Sequence, residues 1–121
     1  MLADSNIIIY SIMPEHADLR RFMVQQAPAV SAISVVEVLG YHRLNTKELE
    51  EFENFFAAAT VLPISEFVVD QAVRLRQVKK LGLGDALIAA TALVHNHTLI
   101  TRNTKDFEWI TGLTLLNPFE C

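Results

Sequence analysis

Five short runs of mostly continuous apolarity punctuate the chain: Met1 to Ala3, Ala29 to Ile33, Thr60 to Ile64, Thr98 to Thr101 and Leu113 to Leu116. They are rich in Val, Ile, Leu and Thr, as strands are. Because the apolarity is continuous rather than alternating, each strand is expected to be covered on both faces, as in a parallel sheet. Parallel neighbours need long crossovers, and the stretches between these runs have helical character. The expectation is an α/β chain folded as a three-layer α/β/α sandwich with a mostly parallel central sheet. No repeat, low-complexity tract or linker-like stretch interrupts it, so residues 1–121 are read as one domain.

Helix starts are read from caps. Ser34 with Glu37 fits a capping box, Asn45 with Glu48 fits another, and Ser65 precedes a long stretch ending near Gly82. In that stretch Val68, Ala72 and Leu75 mark the buried stripe, with Asp70, Arg74 and Gln77 on the other side. Residues 5–13 are rich in β-branched side chains. Ser5 or Asn6 as cap and Pro14 as stop favour a buried helix there over a strand.

Composition and pattern add four bounds. The mean hydropathy of +0.28 is high for 121 residues, which predicts an apolar interface with another subunit or partner. No apolar run reaches the roughly 18 residues of a membrane span. With one cysteine, Cys121, and no signal-peptide pattern at the start, a cytoplasmic location is expected. Ten basic against fourteen acidic residues give a net charge of -4, the wrong sign for holding nucleic acid by bulk electrostatics. Any contact with nucleic acid must then be local.

Four acids lie within apolar sequence: Asp4, Glu37, Asp85 and Asp106. Asp4 ends the first strand, where ligands bind in open α/β sheets, or else it caps the next helix. Glu37 has either a capping or a functional role. Gly82 and Gly84 let the backbone approach closely before Asp85, whose place at a helix start suits a cap and a metal ligand equally. Asp106 follows a strand and could be a plain first-turn acid. Taken together, ionised carboxylates gathered at one sheet edge would repel one another without a cation. Oxygen ligands without a His or Cys set point to Mg²⁺ or Mn²⁺, and such a site suits phosphodiester hydrolysis. Asn6, Thr101 and Asn103 are candidates for orienting a ligand or water from behind. Arg102 could meet a phosphate or be a surface residue. The basic run 74–80 is read as a solvated helix face that in a nuclease could track an RNA backbone. His95 and His97 are expected to diverge and to form no zinc site. No glycine-rich phosphate loop is present.

DSNIIIY, ISVVEVLGY, GDALIAATAL, TLITRNTKDF and the closing LLNP resemble the PIN-domain ribonucleases, specifically VapC-type toxins of toxin-antitoxin pairs, from Met1 to about Pro118. The resemblance implies an α/β/α fold, dependence on Mg²⁺ or Mn²⁺, and endonucleolytic cleavage of RNA. It also implies a homodimer and a cognate antitoxin docked in a groove near the site. By position Asp4, Glu37 and Asp85 match the family's most constant acids. Some members carry the fourth at the place of Asn103 and others at that of Asp106; Asp106 is chosen, with Asn103 as a neutral ligand or supporting residue. Residues 45–56 are expected to form a helix at the dimer or antitoxin surface. Two other readings are a binding module acting mainly in an antitoxin complex and a magnesium phosphotransferase with an aspartyl nucleophile.

Overall fold

The computed structural model describes residues 1–120; Cys121 lies outside the described residues. Strand β1 (Leu2–Ala3) leads into helices α1 (Ser5–Ser11) and α2 (Ala17–Gln26), joined by a 3-10 turn at Pro14–His16. Strand β2 (Ala29–Ser31) is followed by α3 (Ala32–Leu39) and α4 (Thr46–Ala58), and β3 (Val61–Leu62) by α5 (Glu66–Val78) and α6 (Leu83–Val94). Strand β4 (Leu99–Ile100), a 3-10 turn at Thr104–Asp106 and β5 (Leu115–Leu116) complete the fold. The sheet has the order β3-β2-β1-β4-β5, and every pair is parallel.

Alternation along these short strands divides the core into two layers. Leu2, Ala29 and Leu99 share a register row and pack with Val68, Leu75 and Ile88 of α5 and α6. Ala3, Val30 and Ile100 form the next row and pack on the other face with Ile7, Met23, Val38 and Phe52 of α1 to α4. Both faces of the central strands are thus buried, which is why their sequence is continuously apolar. All five expected strands are present in shortened form, and residues 5–11 are helical. Among the described residues no helix is long and apolar enough to cross a membrane.

Two local expectations fit and two need correction. Asn45 and Glu48 form a reciprocal capping box, and the Ser65 hydroxyl accepts from the Val68 N–H. The cap of α3, however, is Ser31, whose hydroxyl accepts from Ile33 N–H, rather than Ser34. The strand ends earlier than expected, so Ser34 falls inside the first turn and Glu37 in the second, both on a helical surface. Helix α5 stops at Val78 because Lys79 is extended (φ -153°, ψ 151°). The buried Leu81 then draws the chain inward, and its carbonyl accepts from Arg76 Nε at 3.0 Å.

Candidate active site

Chain order reverses about β1: β2 and β3 lie on one side, β4 and β5 on the other. In open α/β sheets the crevice at such a reversal, outside the carboxyl ends of the strands, is where ligands bind. The residues that follow β1 and β4 are Asp4 and Thr101. Both are buried, and Thr101 Oγ1 donates to Asp4 Oδ2 at 2.9 Å. The Thr101 hydroxyl in turn accepts from the Asn103 backbone N–H at 3.1 Å. Asp4 occupies the cap position of α1, yet its side chain makes no capping hydrogen bond, so capping does not account for a carboxylate there.

A second chain of hydroxyls holds Glu37. Ser5 Oγ lies 2.8 Å from Glu37 Oε1 and 2.8 Å from Ser34 Oγ. A hydroxyl has one proton and an ionised carboxylate has none, so Ser5 donates to Glu37 and accepts from Ser34. On its other side the Glu37 carboxylate rests on α6. A Cβ added to Gly84 would stand 2.4 Å from Glu37 Oε2, while one added to Gly82 would meet nothing within 4 Å. Close approach therefore requires glycine at position 84 and not at 82.

Asp85 lies one residue beyond Gly84 in the first turn of α6. Burial raises the pKa of its carboxyl, and the charges of Asp106 and Glu37 raise it further. Asp4 is pushed up to about 6, chiefly by burial; hydrogen bonds from Thr101 and from the Ser5 backbone N–H oppose the shift, while Asp85 and Glu37 add to it. Asp85 thus lies within electrostatic reach of Asp4, Glu37 and Asp106, and Asp4 also within reach of Glu37. No base neutralises them: the only ion pair among the described residues joins Arg21 to Asp18 on α2. Nor, among the described residues, do three acidic, histidine or cysteine side chains close tightly around one point. Uncompensated oxygen donors in an open array suit a hard cation that keeps several of its waters and takes only one or two carboxylates directly.

The supporting residues divide. Thr101 touches Asp4, Asn103 contributes its backbone N–H, and Asn6 is exposed. Ser5, beside Asn6, makes the contact with Glu37 that the sequence reading missed. The imidazoles of His95 and His97 do not diverge, because α6 ends at Val94 and Asn96 is left-handed (φ 55°). Their rings stack with centroids 6.2 Å apart. Burial, the adjacent Met1 amine and His95 lower the His97 pKa.

Fold and site together define an α/β domain with a group of acids at the reversal point of a parallel sheet. The PIN domain pattern matches residues 1–112, and the chain belongs to the PIN domain family. Ribonuclease VapC1 of Rickettsia felis is 35% identical over 98 residues, covering 72% of this chain and 73% of that protein. A toxin-antitoxin complex from Klebsiella pneumoniae contains a chain of 32% identity and TM-score 0.79, matched over 99% of this chain and 98% of that one. VapBC2 from Rickettsia felis, crystallised bound to a promoter DNA fragment, shares the fold with a TM-score of 0.83 at 23% identity over 96% of each chain.

Proposed function

We propose that this protein is a divalent-metal-dependent endoribonuclease and the toxin half of a toxin-antitoxin pair. The observation that carries the reading is the buried, uncompensated Asp4 at the sheet reversal, facing Asp85 and Glu37. Relatives named VapC ribonucleases support the choice of RNA over other phosphodiesters. Asp4, Glu37, Asp85 and Asp106 would hold Mg²⁺ or Mn²⁺, which when bound supplies positive charge to the phosphodiester and lowers the pKa of a water. Within this arrangement Thr101 fixes the Asp4 carboxylate and Ser5 fixes that of Glu37. The toxin reading rests on the chain's similarity to a solved toxin-antitoxin complex. The antitoxin would seat in the groove lined by Ile12, Met23, Val24 and Phe55, with α4 as one wall and the exposed Val24 as its apolar edge. The homodimer stands as part of the same proposal.

The test is incubation of the purified protein with single-stranded RNA in Mg²⁺ or Mn²⁺ and in EDTA. Internal cuts that appear with the cation and vanish with chelator are expected. Intact RNA under every condition, or equal cutting in EDTA, would refute the reading.

Gly84→Ala probes the Glu37 contact. The new methyl would displace the Glu37 carboxylate from its Ser5 partner. Because Glu37 is exposed, so that its carboxylate can turn into solvent, and Ala is the better helix former, stability should hold or rise. Misplacing a reacting group by about 1 Å can cost about a hundredfold, so kcat/KM should fall on that order while the melting temperature does not. Unchanged kcat/KM would remove Glu37 from the chemistry.

A further inference from the structure

Arg102 follows Thr101, the partner of Asp4, directly and so emerges one residue past the acidic site. Its guanidinium does not turn toward the acids. The guanidinium carbon lies 4.4 Å from the Phe119 ring centroid and 5.4 Å from that of Tyr10. These rings belong to a three-ring cluster with His16: Tyr10 and His16 meet at 5.6 Å, Tyr10 and Phe119 at 5.7 Å, and His16 and Phe119 at 5.1 Å, all edge to face. The cluster unites α1, the 3-10 turn after it and the segment beyond β5.

Asn117 ties that segment in place. Its Nδ2 donates to the Arg102 carbonyl at 3.4 Å, and its Oδ1 accepts from the Phe119 N–H at 3.0 Å. One amide therefore sets both the backbone of the cation and that of the ring beneath it, which gives the LLNP ending a structural task. A guanidinium stacked on an aromatic face keeps its in-plane N–H donors free, and that fork matches phosphate oxygens. Arg102 is exposed and has no acidic partner among the described residues. Stacking on the rings fixes the position of the guanidinium, and no ion pair among the described residues occupies its N–H donors. In a chain of net charge -4 it is a local means of holding a polyanion.

We propose that Arg102, seated on the Phe119 and Tyr10 rings, binds a backbone phosphate of the RNA strand next to the scissile bond and so sets the strand's register against Asp4. The proposal rests on the ribonuclease reading above. Its test is the affinity of a labelled single-stranded RNA for the full chain carrying Asp85→Asn, measured in Mg²⁺ across a series of salt concentrations. Losing one charge-assisted phosphate contact should weaken binding roughly tenfold in Arg102→Gln. The plot of log affinity against log salt should become shallower by about 0.7, the value for one phosphate on a single strand. Arg102→Lys should restore the slope but not the full affinity, and Phe119→Leu should weaken binding with the slope retained. In the otherwise unmodified enzyme, Arg102→Gln should raise KM more than it lowers kcat.

An unchanged affinity and slope in Arg102→Gln would overturn the inference while leaving RNA cleavage by the unmodified enzyme intact. Conversely, RNA binding with the expected slope change but no cleavage by the unmodified protein would overturn the ribonuclease reading and leave the Arg102 contact standing. No measurable RNA binding together with no cleavage by the unmodified protein would overturn both.

Discussion

Asp4→Asn is expected to abolish RNA cleavage while making the metal-free protein more stable at pH 7. The two effects have one cause. Burial, Asp85 and Glu37 push the Asp4 carboxyl from about 3.8 up to about 6, so the folded protein holds this proton more tightly than the unfolded chain does. Stability from that proton is complete below pH 4 and is lost as pH rises through 6. At pH 7 the folded state carries a penalty of about 3 kcal/mol, which is about ten degrees of melting temperature for a domain of this size. Asparagine is neutral throughout, and its side-chain oxygen can still accept from Thr101. The metal-free wild type should therefore melt at progressively lower temperature between pH 4 and pH 6.5, and the variant should lose the share of that decline that comes from Asp4. Adding Mg²⁺ or Mn²⁺ at pH 7 should raise the melting temperature of the wild type and leave the variant nearly unmoved, because a ligand stabilises only the state that binds it. A wild-type melting temperature that does not change over this window would contradict the assignment of Asp4 as a strained, ligand-ready carboxylate.

Asp85→Asn should also eliminate cleavage, with the fold retained, but through a different balance. Asp85 is half-buried at the start of α6, and its pKa is raised by burial and then by Asp106 and Glu37. It is also one of the charges that lift Asp4. Removing it should let the Asp4 carboxyl fall below its value of about 6, which a carbon-13 carboxyl titration of the metal-free variant would register. Full retained activity, or an Asp4 titration identical to that of the wild type, would break the link between these two residues.

The layer order was legible in the sequence because both faces of β1, β2 and β4 are buried, and burial on both faces leaves continuous apolar runs. Strand order was not legible, since a two-residue strand carries no mark of its neighbours. The position of Asp4 could be read from its place after the first apolar run. The Thr101 contact could not, as it spans the chain from the end of β4 to the end of β1. The capping signature misled at Ser34, where the Ser-x-x-Glu spacing also occurs inside a helix whose cap, Ser31, is itself a serine. Ser5 and Asn6 are adjacent polar residues on α1, and only the position of α3 decides that Ser5 faces Glu37 while Asn6 faces solvent. Gly82 and Gly84 look alike in sequence, yet only Gly84 lies beneath a carboxylate. For Ser5 and Gly84 the missing information was which helix lies opposite, and for Thr101 which strand lies alongside; tertiary packing alone supplies both.

The central claim is that these carboxylates form a divalent-cation site, and calorimetric titration of Mn²⁺ into the purified protein tests it most directly. The titration should be run at pH 6 in two buffers of different ionisation enthalpy, with Asp4→Asn alongside. The wild type should bind with proton release, because Asp4, at about 6, is roughly half protonated there and must lose its proton to ligate. The variant should bind at least tenfold more weakly and release no proton from this group. Equal affinity in the two proteins, or no binding by the wild type, would contradict the account.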